Sequence, residues 1–268
     1  MISFAITIVG ILVATLVPAY LALYLLANLK FVSIRYIAAL GLGLVFWFFF
    51  DTINDAAQLD VNSSFGGGIQ HVAILVVFLA GISTLALFDH YAVPRLVSES
   101  SAGADRSVIL LIPVAVAAVM GVHGLGEGWS FASVASASYT SSLTAAFGGV
   151  LALASYPLHK FFEASIVGAL YASFIGSRNR ARWHIPLLGI LFGLPATFGA
   201  ALGYFFSFDI TYFYAFGVTA AIYAALRLVE PISTSFKTGQ TRPTFLGYKV
   251  FIAVTIGFLF LYLAALFH

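Results

Sequence analysis

The sequence predicts an all-α integral membrane protein of eight transmembrane helices, with both termini extracytoplasmic. Three observations lead there: a composition poor in charge, eight apolar runs of membrane-spanning length, and basic residues confined to alternate connections. Of the 268 residues, 62% are hydrophobic and 8% are charged, and the mean hydropathy is +1.04. Soluble domains carry about 25% charged residues, so this composition suits a lipid solvent. The chain has no cysteine, which excludes disulfides and thiolate ligands. Any metal must sit on imidazole, carboxylate, carbonyl or water.

The apolar runs fall at about 2–28, 33–50, 69–88, 107–136, 144–176, 184–206, 210–229 and 246–267. A helix needs roughly 20 residues to cross a bilayer. The first run has no basic stretch before it and no small-residue cleavage site after it, so it is expected to be a retained helix, not a signal peptide. The connections are short and carry turn or charge signals, as in "NLKFVSIRY" and "GSRNRARWH". None is long enough for a soluble domain, so residues 1–268 are expected to form a single polytopic transmembrane domain.

Orientation follows from charge. Lys30, Arg35, Arg95, Arg106, Arg178, Arg180, Arg182, Arg227, Lys237, Arg242 and Lys249 all fall on one side if the spans alternate. The positive-inside rule puts that side in the cytoplasm and both termini outside. The expected location is a cell membrane, of the prokaryotic cytoplasmic kind. Basic residues spread over loops give no nucleic-acid surface, so none is expected as a partner. The twelfth basic residue, Lys160, lies in the middle of the fifth span.

Two polar pairs break the apolar pattern. "GVHGLGEGWSFA" carries His123 and Glu127, and "YPLHKFFEAS" carries His159 and Glu163. Positions i and i+4 share a helix face, so each pair presents an imidazole and a carboxylate in one direction. Both pairs lie near the middle of their spans, on neighbouring helices, and four donors can converge at mid-membrane. Neutral imidazole and ionised carboxylate suit divalent zinc, iron, cobalt, nickel or manganese. Without the metal the two acids would repel, and at least one is expected to take up a proton. Gly121, Gly124, Gly126 and Gly128 surround the first pair and favour close helix approach, a kink or free carbonyls. Pro157 removes a hydrogen bond beside the second. A lone intramembrane His or Glu often only bonds a neighbouring helix; two pairs of equal spacing and depth point to function. Lys160 has three readings: it snorkels, it pairs with a site glutamate, or it takes the place of a second cation.

"HGLGEG" and "HKFFEA" resemble the metal-binding motifs of the ZIP (Zrt/Irt-like) transporters. "FGLPATFGAALG" resembles that family's sixth helix, and "GVTAAIYAALRLVEP" its seventh, ending in Glu230. The likeness runs over essentially the whole chain but is specific only in spans four and five. It implies a ZIP-like bundle of eight helices that carries zinc, iron, manganese or similar ions toward the cytoplasm, by a vertical, elevator-like shift. His123, Glu127, His159 and Glu163 match the transport-site ligands. Gly124 stands where many members have Asn, Lys160 where some have a carboxylate, and Leu194 where those members supply a further glutamate. These departures weaken a second site, so one metal is expected, with the Lys160 ammonium as the stand-in for the second ion.

Rim residues extend the path. Asp51, Asp55 and Asp60, with His71, are read on the outward connection between spans two and three. They either draw cations toward the site or are ordinary solvated helix-end residues. Asp89, His90, Glu99, Asp105 and Glu230 lie on the cytoplasmic side, with the same two readings for an ion's release. His184, Asp209 and His268 receive no role.

Transport is weighed against two other classes. An intramembrane zinc-dependent hydrolase needs three protein ligands, an open position and a base, but there is no HExxH and the two pairs are alike. A haem electron carrier gains nothing from a glutamate beside each histidine. The expected substrate is therefore a divalent metal ion, with no prosthetic group and no enzymatic activity. The lipid bilayer is the other partner, and a homodimer is left open.

Overall fold

Lipid offers no hydrogen bonds to a backbone, so a spanning segment must satisfy its own as a helix. The computed structural model describes residues 4–29, 32–62, 69–92, 110–137, 149–175, 183–234 and 248–265, leaving aside the side chains of 54–62, 69–71, 92, 137, 234 and 265. Among these residues there are eight long helices and no strand. They are α1 (Phe4–Asn28), α2 (Ile34–Asn62), α3 (Ile69–Leu87), α4 (Leu111–Ala137), α5 (Val150–Ile175), α6 (His184–Gly203), α7 (Thr211–Thr234) and α8 (Tyr248–Ala265). A single π turn, Phe88–Ala92, continues α3.

Six of the eight are long and apolar enough to cross a membrane, namely α1 to α4, α6 and α7. The fold is that of an all-α, multi-pass membrane protein. α8 offers only a shorter apolar stretch, Tyr248–Ala264. α5 is long, but His159, Lys160 and Glu163 dilute its apolar run. The polar cluster is therefore what sets α5 apart from ordinary spans.

Two expected boundaries move. The second helix was expected to stop near residue 50, leaving three aspartates in a connection; instead α2 continues to Asn62 and carries Asp51, Asp55 and Asp60 on the helix. No Gly or Pro occurs between Phe50 and Asn62, and "AAQL" is strongly helix-forming, so nothing there ends the helix. The seventh run was expected to end at about residue 229, yet α7 runs through Pro231 to Thr234. Gly149 opens α5 at φ 129°, and its carbonyl accepts the Leu153 N–H at 3.0 Å. That backbone conformation favours glycine.

The helices fall into two sets. α4 lies chiefly on α6, α6 on α1, and α1 on α5; α2 lies on α7 and α8, with α3 on α7. The sets meet where α4 crosses α7 and where α5 lies on α2 and α8. Of the apolar window of α4, 56% is buried against 11% for α3, so α4 runs through the interior and α3 at the rim. Val72, Leu75, Val76 and Leu79 accordingly face outward.

Two seams are made by glycine. A methyl added at Gly121 or Gly128 of α4 would overlap the carbonyl of Leu191 or Ala196 on α6, and one at Gly199 or Gly203 of α6 would overlap Leu125 or Trp129 on α4. α2 and α8 repeat the device, Gly43 against Val254 and Gly257 against Leu40. Backbones this close gain dispersion contacts that lipid cannot supply. Ser133 Oγ seals the α4–α6 seam by donating to the Gly203 carbonyl at 2.9 Å. Gly199→Val should push the two helices apart and cost about 1–3 kcal/mol or more. A detergent melting curve at or above that of the parent protein would contradict the seam.

Candidate metal site

α4 turns His123 and Glu127 to one face, and their Nε2 and Oε1 atoms are 3.3 Å apart. α5 does the same with His159 and Glu163, whose Nε2 and Oε1 are 3.0 Å apart. The two faces meet. His123 Nε2 lies 3.8 Å from Glu163 Oε1, and Lys160 Nζ pairs with Oε2 of Glu127 and, at 2.5 Å, with Oε2 of Glu163. His123, His159, Lys160 and Glu163 are each at most 2% exposed.

Neither snorkelling nor a lone partner describes Lys160. Its ammonium sits between both acids, with the rings of Tyr156 and Phe192 at 5.7 and 6.0 Å. The expectation that a metal-free site needs a proton on one glutamate assumed no cation between them. Here an ammonium offsets their repulsion directly. Two carboxylates and one ammonium leave one net negative charge in a buried place, which a cation would further compensate.

The imidazole of His123 is enclosed by the second helix set. Phe48 of α2 and Tyr214 of α7 meet it edge to face, with centroids at 5.1 and 5.0 Å. On the Nδ1 side, a methyl at Gly217 would come within 2.9 Å of that atom. Nδ1 has no hydrogen-bond partner among the described residues, while Nε2 faces the Glu127 and Glu163 carboxylates. A metal ion placed between them would take Nε2 and both Oε1 atoms as ligands.

The donors of His123, Glu127 and Glu163 all lie within 4.8 Å of one another. Ligands at about 2.1 Å around a tetrahedral ion are about 3.4 Å apart, close to the 3.3 and 3.8 Å separations at His123. Of the four expected ligands, His159 lies outside this group of three. Its hydrogen bond to Glu163 Oε1 instead orients that carboxylate. Buried histidine–carboxylate contacts of this kind tune a ligand from behind.

The rim residues divide. Asp51 on α2 is half-buried and within electrostatic reach of His123, Glu127, His159 and Glu163. The side chains of Asp55, Asp60 and His71 lie outside the described residues, as do Glu99 and Asp105. At the other end of α3, Asp89 and Glu230 both pair with Arg227, the latter at 2.5 Å, and Tyr223 donates to Asp89 at 2.9 Å. One guanidinium thus serves two carboxylates and leaves one net negative charge in this cluster. His90 is exposed and packs on Tyr91 with centroids 4.6 Å apart.

Some polar roles escaped sequence reasoning. Asp209 caps α7, accepting from the Thr211 N–H at 3.1 Å and the Thr211 hydroxyl at 2.6 Å; its position just before an apolar run was the available signal. His184 lies 3.1 Å from the Tyr171 hydroxyl through Nδ1, and no local spacing announces that pair.

No family model matches the chain, and neither a curated protein nor a solved structure does. If Arg227 ties α3 to α7 as described, Arg227→Gln should lower stability by about 1–2 kcal/mol while leaving metal binding unchanged. Equilibrium unfolding and metal titration of one preparation read both; loss of the metal would tie this cluster to the site.

Proposed function

We propose that the protein carries divalent transition-metal ions across its membrane, toward the cytoplasm, as a carrier of the ZIP kind. One observation carries the reading: the His123–Glu127–Glu163 donor set, with its donor atoms within 4.8 Å of one another, lies where two helix sets meet. The residues that match the ZIP motifs by spacing are the ones brought together, with His159 behind Glu163. In this reading all eight helices span, including α5 and α8, and both termini are outside. Direction rests on the eleven basic residues assigned to one side of the bundle.

The chemistry follows from the donors. Imidazole and two carboxylates accept zinc, ferrous iron or manganese, and Lys160 leaves charge for one ion. Asp51 adds a negative charge on the approach through α2. Alternating access needs the donors to change sides together, and α4 and α5 belong to one helix set. A hydrolase would need a carboxylate left over as base. Both glutamates are engaged as donors, so that class is not favoured.

The test is uptake by vesicles reconstituted with the full chain. Zinc should enter saturably, and Glu163→Gln, in protein that still folds, should reduce the rate by about 100-fold or more. Undiminished uptake by that variant would remove the cluster from the transport path.

A further inference from the structure

Lys160 does more than offset charge; it divides the oxygens of two carboxylates between two tasks. Oε2 of Glu127 and Oε2 of Glu163 both lie on its ammonium. Oε1 of each lies toward His123 Nε2, at 3.3 and 3.8 Å. Each acid therefore offers the metal one oxygen. An ammonium has three donors and no acceptor, so it can hold both Oε2 atoms while giving a metal nothing. It has nowhere better to go: Lys160 is 2% exposed, on a helix turn packed among apolar residues. Withdrawal would strand its charge and both of theirs.

We propose that Lys160 is the positioning residue that sets which ions the site accepts. By pinning Oε2 of Glu127 and Glu163 it enforces one-oxygen ligation, leaving three protein donors and one open position. This deepens the carrier reading and rests on it. Such a site suits a small ion content with four ligands, the behaviour of zinc. Calcium takes six to eight oxygens and often two from one carboxylate, magnesium demands a near-octahedral shell, and manganese prefers oxygen-rich sites. All three lose most where the second carboxylate oxygens are withheld. The same ammonium excludes a second dication, since it already fills the space between the acids.

Full-length protein in detergent, titrated with zinc, manganese or calcium, tests the assignment, together with X-ray absorption on the zinc-loaded wild type. The expected wild-type result is one zinc per chain, with four nitrogen or oxygen ligands and both carboxylates bound through one oxygen. Lys160→Met and Lys160→Gln should each raise the affinity for manganese relative to zinc by about 10-fold to 100-fold. A carboxylate bound through both oxygens in the wild type overturns the proposal, and that spectrum decides even if neither variant folds. An unchanged manganese-to-zinc ratio in folded variants overturns it as well. Failure of the wild type to bind zinc at all would instead overturn the carrier reading beneath it, an outcome separable from the other two.

Discussion

Buried charge in hydrocarbon must be answered by buried charge, and in this protein Lys160 gives the answer. Taking an ion out of water costs several kcal/mol even after the surroundings relax. Glu127 and Glu163 come from different helices, and without a cation they would push α4 and α5 apart. The ammonium draws both toward itself. The pairing thus decides the spacing of the two helices at this level, and with it the separation of the donors.

The glycine seams serve the same end. Two backbones in near contact bring α4 onto α6 along Gly121, Gly128, Gly199 and Gly203. Gly126 lets Phe213 of α7 approach, and Gly217 lets α7 come close to the His123 ring. Larger side chains at these positions would hold α7 away, and the imidazole would be wetted. Exclusion of water is what makes a three-donor site strong, because each electrostatic contact grows as the local dielectric falls. Close packing around His123 and the affinity expected of it are therefore one property.

Much of this was legible because membrane helices announce themselves. Length and apolarity located every helix to within a few residues, except where α2 overran its apolar part into "DTINDAAQLDVN" and where α7 passed through Pro231. In both cases the end of hydrophobicity was taken for the end of the helix, and these are different physical events. The i, i+4 pairs were legible too, since a helix fixes their geometry locally. Contacts between helices were not. Nothing near Lys160 in the sequence points to Glu127, thirty-three positions away, although its i, i+3 relation to Glu163 was visible. Nor could spacing tell that His159 stands behind Glu163, outside the group of three, because that depends on how far α4 and α5 approach. The sequence offered three meanings for the glycines of α4; close approach is the one realised, in an unbroken helix.

The distribution of bonds around the site bears on how a carrier of this form would work. The pairs His123–Glu127, His159–Glu163 and Lys160 with both acids are all internal to α4 and α5. Toward the second set, His123 meets rings and a glycine, and the Thr52 hydroxyl beside it is spent on the Phe48 carbonyl of its own helix at 2.7 Å. Apolar contacts of that kind are nondirectional and can be exchanged for similar ones with little change in free energy. An ion pair cannot. If the donors sat half on one set and half on the other, any relative motion would tear carboxylates from their counter-charge in a dry place. Because cation, acids and imidazoles ride on the same set, their charge balance is carried along with them. Motion against the second set then has to overcome mainly packing, together with bonds such as the Ser155 hydroxyl on the Ala264 carbonyl at 2.8 Å, which joins α5 to the end of α8.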